Sequence, residues 1–239
     1  MIAPDGRVIL ISGANRGIGL AIARCLYEAG FNLSLAARDT ASLETVIADW
    51  SPDRVMTARY DAQDKQTHRD WIDGTIARFG RIDGLINNAG IAESVAVDDL
   101  EDNEAALDRL WAVNVKAPLS MTRIALPHLR KSGNGRVVNV ASLAGKAVFG
   151  SGVGYSMTKF AAVALSHATR HAGWADGVRC TALCPGYVAT DMTSKVESVP
   201  MEQMTSPEDL AELVKTVISL SNTASIAELI VNCRADVVA

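Results

Sequence analysis

Short apolar runs alternate with amphipathic stretches along the whole chain. Residues 7–12, RVILIS, form one such run, and others occupy 31–37, 54–60, 82–87, 135–141, 178–184 and 226–232. Continuous apolar runs of this length predict strands buried on both faces of a parallel sheet. Between them apolar residues return at helical spacing: Ile18, Ile22, Cys25 and Leu26; Leu43, Val46 and Ile47 within 40–49; Ile72, Ile76 and Phe79 within about 65–79; Leu210, Leu213, Val214, Val217 and Ile218 after Pro207. The segment 99–131 is helical in pattern but holds Pro118 and Pro127. It predicts two helices broken near Pro118, the second kinked or ended at Pro127. A helix from Tyr155 to about Trp174 is rich in small residues (Ala161, Ala162, Ala164, Ser166, Ala168) and suits close packing on a sheet or on a second copy. The segment 187–206 is irregular, as expected of a surface loop or a flap over a pocket.

Strand follows helix throughout, without a repeat or a linker. That alternation predicts the α/β class: one doubly wound, Rossmann-type parallel sheet of about seven strands, with helices on both faces. A single domain would span 1–239, with a cofactor half at about 1–140 and a catalytic and substrate-binding half at about 141–239.

Composition narrows the possible partners. The 239 residues suffice for a sizeable core, and 49% hydrophobic with 21% charged residues is a globular balance. A net charge of -4 argues against nucleic acid or an acidic membrane as partner. No apolar run reaches the roughly 18 residues of a membrane span. The start, MIAPDGRVILISGA, enters a strand directly and does not resemble a signal peptide, so a cytoplasmic location is expected. Cys25, Cys180, Cys184 and Cys233 lack metal-ligand spacing and are expected to be buried, reduced thiols. His167 and His171 share a helix face, expected to be solvated; no metal is expected.

The chemistry lies where strands end. Gly13-Ala-Asn-Arg-Gly17-Ile-Gly19 follows the first strand and opens a helix. Glycines there let backbone approach a pyrophosphate, and the free N–H groups of a helix start favour its charge. The second strand ends at Arg38, where an acid reading the ribose 2′-hydroxyl would be expected for NAD(H). Arg38 and Arg16 suit a 2′-phosphate instead, which favours NADP(H) over NAD(H). Asp61 ends the third strand, and Asn87-Asn88-Ala89-Gly90 ends the fourth. Asn114 is polar among Trp111, Val113, Val115 and Leu119, so it needs a buried partner: main chain at a helix kink, or a water linked to Lys159. Ser142 closes the fifth strand, and Tyr155 and Lys159 lie four apart on the helix that follows. A phenol titrates near pH 10 in isolation, and an adjacent ammonium favours its anion. Such a tyrosine exchanges a proton with a substrate oxygen, while a serine hydroxyl orients that oxygen.

In this order the motifs resemble the short-chain dehydrogenase/reductase family, classical type, over essentially the whole chain. The resemblance implies a cofactor loop of Gly13, Asn15, Arg16, Gly17, Ile18 and Gly19, with Ser12 where the family usually has threonine. It implies adenine contacts at Asp61 and Ala62, backbone contacts at Asn88, Ala89 and Gly90, and a nicotinamide segment at Pro185, Gly186, Val188 and Thr190. Asn114, Ser142, Tyr155 and Lys159 match the catalytic tetrad. Tyr155 would transfer the proton, Lys159 would bind the nicotinamide ribose, Ser142 would orient the carbonyl or alcohol, and Asn114 would hold a relay water. The implied substrate is a small to medium carbonyl compound or secondary alcohol. Ala147, Val148, Phe149, Tyr187 and Met192 suggest a partly apolar pocket. Homodimers or homotetramers are implied as well. The stretch from Leu229 to Ala239 departs from the family's usual D-G-G ending, since it has no glycine. A non-catalytic dinucleotide-binding regulator and a methyltransferase share the strand–loop–helix start, but neither needs the Ser–Tyr–Lys set.

Overall fold

The computed structural model describes residues 1–100 and 103–235. Residues 101–102, within the predicted helical segment 99–131, and residues 236–239, at the end of the predicted domain, lie outside the described residues. Strands β1 (Val8–Ser12), β2 (Asn32–Ala37), β3 (Val55–Arg59), β4 (Gly84–Asn87), β5 (Arg136–Val140), β6 (Arg179–Pro185) and β7 (Glu228–Val231) each sit within a predicted run or overrun it by one residue. They form one parallel sheet in the order β3-β2-β1-β4-β5-β6-β7.

Helices α1 (Gly17–Glu28), α2 (Thr40–Val46), α3 (Lys65–Phe79), α4 (Glu104–Trp111), α5 (Ala117–Lys131), α6 (Gly154–Gly173) and α7 (Pro207–Ser219) connect them. Alternate strand residues feed two cores. Ile9, Ile11, Leu33 and Leu35 meet Ile22 and Leu26 of α1 and Leu210, Val214 and Ile218 of α7. Val8, Leu10, Leu85 and Val137 meet Trp71 and Ile72 of α3 and Met121, Ala125 and Leu129 of α5. Burial on both faces is why these strands show no alternation in sequence.

Three details depart from expectation. The break in 99–131 falls at Ala112–Lys116, a π-helical turn, and not at Pro118. There Ala117 N–H bonds to Ala112 O, five residues back. Pro118 sits in the first turn of α5, where its missing N–H is tolerated, and Pro127 lies inside α5 without ending it. Helix α2 stops at Val46, short of the predicted residue 49. Cys180 and Cys184 are buried, but Cys25 and Cys233 are only partly so.

The segment 187–206 has no long element. It holds single turns at Asp191–Thr193 and Met201–Gln203, and its ends are closed by Ala189 N–H to Thr205 O and Thr205 N–H to Tyr187 O. Among the described residues no helix is long and apolar enough to cross a membrane.

Candidate active site

Winding reverses between β1 and β4, which are neighbours in the sheet although β2 and β3 intervene in sequence. A groove opens there at the carboxyl ends of the strands, the usual ligand position in such sheets. The glycine loop forms its floor. Gly17 takes a φ of +53°, and a Cβ at Gly19 would collide with Gly13 O and Asn88 Nδ2. Helix α1 starts with no side-chain cap and no acidic residue in its first turn, whereas α2, α3 and α7 are capped by Asp39, Asp64 and Ser206. The first N–H groups of α1, including that of Ile18, are therefore not claimed by a capping side chain. This fits an anionic pyrophosphate.

Ser12 fastens the loop to the end of β4. Its Oγ accepts from Asn88 N–H and Ala89 N–H, both at 3.0 Å. Asn88 Nδ2 donates back to Ser12 O at 2.9 Å and Gly13 O at 3.1 Å. The sequence reading gave Ser12 no role beyond a motif position, although a hydroxyl at a strand end facing Asn-Asn-Ala-Gly signals such a lock.

At the β2–β3 side of the groove, Asn15 Nδ2 donates to Ser42 Oγ at 3.0 Å. Arg38 is exposed just beyond β2. Asp39 turns its carboxylate into α2, accepting from Ala41 N–H and Ser42 N–H. Asp61 accepts from Gln63 N–H at 3.0 Å, and Asp64, not Asp61, caps α3. Ala62 follows, packed against the α3-side core. Arg16 lies elsewhere: its Nη1 is 3.3 Å from Asp191 Oδ2 in the 187–206 segment, with both side chains largely exposed.

The catalytic candidates gather between β5, α6 and the π-helical turn. Ser142 caps the short turn Leu143–Gly145, its Oγ accepting from Ala144 N–H at 3.1 Å and donating to Pro185 O at a long 3.5 Å. Lys159 is buried, and its Nζ donates to Val140 O at 2.8 Å, two residues before Ser142. The same Nζ stands 5.4 Å from the centroid of the Tyr155 ring. A Cβ at Gly145 would lie 2.6 Å from Lys159 O, so only a glycine lets the Ser142 turn rest on α6 here. The Tyr155 hydroxyl has no hydrogen-bond partner among the described residues.

Asn114 lies in the π-helical turn. Its Oδ1 accepts from Ile91 N–H at 2.9 Å; its Nδ2 donates to Ile91 O at 2.9 Å and Thr158 Oγ1 at 3.1 Å. A Cβ on Gly90 would lie 3.2 Å from Asn114 Oδ1 and 3.7 Å from Lys159 Nζ, so bare backbone separates these two groups. The Asn114 side chain is thus committed to protein partners. Pro118 has no N–H to offer the Asn114 carbonyl in α-helical register. Thr158, fully buried between Tyr155 and Lys159 in sequence, was not singled out from the sequence. Its hydroxyl bonds to both Tyr155 O and Asn114 and ties the two elements together.

On the far wall, Gly186 N–H bonds to Val231 O at 2.8 Å, placing Pro185 and Gly186 at the end of β6. Val188 is buried, and the Thr190 methyl lies against Gly17, where a Cβ would meet it at 3.4 Å. Away from the groove, His167 is not simply solvated: its Nε2 is 2.7 Å from Glu228 Oε1, and Lys146 Nζ is 2.6 Å from Glu228 Oε2.

Residues 7–200 match the family model described as short chain dehydrogenase. The chain belongs to the short-chain dehydrogenase family. An agropine synthesis reductase of Rhizobium rhizogenes is 43% identical over 226 residues, which are 95% of this chain and 52% of that protein. The chain thus spans about half the length of this relative. A short-chain dehydrogenase/reductase (glucose/ribitol dehydrogenase) from Brucella melitensis superposes with a TM-score of 0.87 at 27% identity, covering 98% of both chains. A 3-ketoacyl-(acyl-carrier-protein) reductase from Brucella melitensis, solved with NADH, gives a TM-score of 0.85 at 26% identity, covering 95% of this chain and 96% of that one.

Proposed function

We propose that this protein is an NAD(P)-dependent oxidoreductase that interconverts a small to medium carbonyl compound and its alcohol, with NADP(H) preferred. The observation that carries the reading is the position of the Lys159 ammonium. It is held by Val140 O beside the Tyr155 ring, next to Ser142 and at the end of a glycine-floored groove.

The groove suits a nicotinamide dinucleotide. Its pyrophosphate would lie over Gly17, Ile18 and Gly19, its adenine near Asp61 and Ala62, and its nicotinamide half between Gly90, Lys159 and the segment Pro185, Gly186, Val188 and Thr190. When bound, the nicotinamide supplies hydride to the substrate carbon in reduction or takes it up in oxidation. The protein's own part is proton transfer and orientation. In reduction Tyr155 Oη gives its proton to the substrate oxygen; in oxidation it takes that proton back. Ser142 Oγ already accepts from Ala144 N–H, so its hydrogen can turn from the long contact with Pro185 O to the substrate oxygen. Lys159 places a fixed cation where charge develops on the phenol oxygen. Asn114 would hold the water that returns protons from solvent, through its main-chain carbonyl, since its side chain is bound to Ile91 and Thr158.

Support for NADP(H) comes from the adenosine end. Asp39, the acid nearest the end of β2, is turned into α2, while Arg38 is free at the rim. Assembly as a homodimer or homotetramer, with α6 as one contact, belongs to the same proposal. Tyr155→Phe tests the central claim: turnover is expected to fall about 10²- to 10⁴-fold, with cofactor affinity nearly unchanged. Wild-type kcat in that variant would remove Tyr155 from the reaction.

A further inference from the structure

The adenosine end holds a cation that the sequence reading passed over. Arg59 is the last residue of β3, and the strand register sets it opposite Ala37, beside Arg38 at the end of β2. Neighbouring strands are about 4.8 Å apart, so the backbone of Arg59 lies one residue from that of Arg38 across the rim, and their long side chains leave the sheet from opposite faces of the pleat. Arg59 also points beyond the strand end: Nη2 is 3.6 Å from Asp61 Oδ2, and Nη1 is 3.5 Å from Asp64 Oδ2. Both separations exceed good hydrogen-bond length. Each carboxylate spends its other oxygen on main chain, Asp61 on Gln63 N–H and Asp64 on Gln66 N–H. The guanidinium is therefore flanked by acids, 56% exposed, and makes no hydrogen bond among the described residues.

A phosphate dianion at this end calls for more than one cation, and planar guanidinium forks match it best. Arg16, the second arginine suggested by sequence, is drawn across the groove to Asp191. We infer that Arg59 is a specificity residue that, with Arg38, binds the 2′-phosphate of NADP(H). Asp61 and Asp64 hold its guanidinium at the rim by long ion pairs, contacts that a bound phosphate would have to take over. This inference rests on the proposed NADP(H) preference.

The test is a set of titrations on cofactor-stripped full-length protein, using NADPH, NADH, 2′,5′-ADP and 5′-AMP at one ionic strength. The variants are Arg59→Gln, Arg59→Lys and Arg38→Gln. Arg59 is exposed on an edge strand, so folding is not at risk, and a melting curve checks this. Arg59→Gln is expected to weaken NADPH and 2′,5′-ADP about tenfold and to leave NADH and 5′-AMP within about twofold; Arg59→Lys is expected to recover part of the loss. Equal weakening of all four probes would overturn the inference, because Arg59 would then act on the adenine through Asp61. NADPH affinity unchanged in Arg59→Gln, with the preference lost in Arg38→Gln, would overturn it alone. A wild-type protein that binds NADH as well as NADPH would overturn the NADP(H) reading, and this inference with it.

Discussion

The two ends of the same sheet carry polar groups of opposite design. At the carboxyl ends lie Ser142, Tyr155, Lys159, the glycine loop and Arg38. At the amino ends three arginines, Arg7, Arg136 and Arg179, are buried against the end of α7. The base arginines are spent on protein carbonyls. Arg7 Nη1 bonds to Ile218 O, Arg136 Nη2 to Leu220 O and Asn222 Oδ1, and Arg179 Nε and Nη2 to Asn222 O. Carbonyls at a helix C-terminus carry partial negative charge and favour cations. The cluster still costs something. Burial, with the charges of Arg7 and Arg179 nearby, pulls the Arg136 guanidinium down to about 10, and Arg7 Nε, Arg7 Nη2 and Arg136 Nε find no partner. Rim groups are held the other way. Ser142 Oγ keeps only a long contact to Pro185 O, and the Tyr155 hydroxyl has no hydrogen-bond partner among the described residues. One end turns its polar groups inward to tie strands β1, β5 and β6 to α7; the other leaves hydroxyls short of strong partners at the proposed ligand site.

The contrast predicts that activity and stability separate. Tyr155→Phe is expected to remove turnover on the scale given above while shifting Tm by less than about 1 °C, since its hydroxyl bonds to nothing among the described residues. A fall of several degrees would mean that the rim is structural as well, and the contrast would weaken. Arg136→Met should do the reverse. It strips donors from Gly177 O, Leu220 O and Asn222 Oδ1 in a buried setting, at a cost of roughly 3 kcal/mol, or about 6–12 °C in Tm for a chain of this size. Its kcat at 25 °C should stay within about twofold of wild type. A variant that melts normally would show that the orphaned carbonyls find water.

Much of this was legible from sequence, for identifiable reasons. Strands buried on both faces announce themselves as unbroken apolar runs. The glycine loop and the Tyr155–Lys159 pair depend on local spacing, which sequence states directly. What sequence hid was long-range. The partner of Arg16 is Asp191, on a segment without a pattern of its own. Arg59 stands beside Arg38 only through the β2–β3 register. Arg7, Arg136 and Arg179 look like ordinary strand-flanking charges, and nothing local says that they are buried. Pro118 misled because a proline marks where a donor is missing, and the π-helical turn absorbs that gap upstream of it. Asn114 is buried, as its polar place in an apolar stretch predicted, and it is its side chain that binds Ile91 and Thr158.

Glu228 stands between the two designs and supplies the smallest expected effect. It opens β7 and joins Lys146, at the end of the Ser142 turn, to His167 on α6. The Lys146 hydrogen bond, and then that of His167, hold its carboxyl below the ordinary value of 4.5. A carboxyl depressed by folding adds stability above its unfolded value and loses that contribution as pH falls through its folded value. Glu228→Gln should therefore lower Tm at pH 7 by about 2–4 °C, as expected for roughly 1 kcal/mol, and the gap from wild type should close as pH falls through its lowered folded value. Because the pair only steadies the turn behind Ser142, kcat/KM should fall by less than about fivefold, in keeping with that energy. Melting curves from pH 7 to 3 decide the point. A gap that persists to pH 3 would mean that shape, not charge, makes the contact. A loss of activity as large as that of Tyr155→Phe would place Glu228 with the rim.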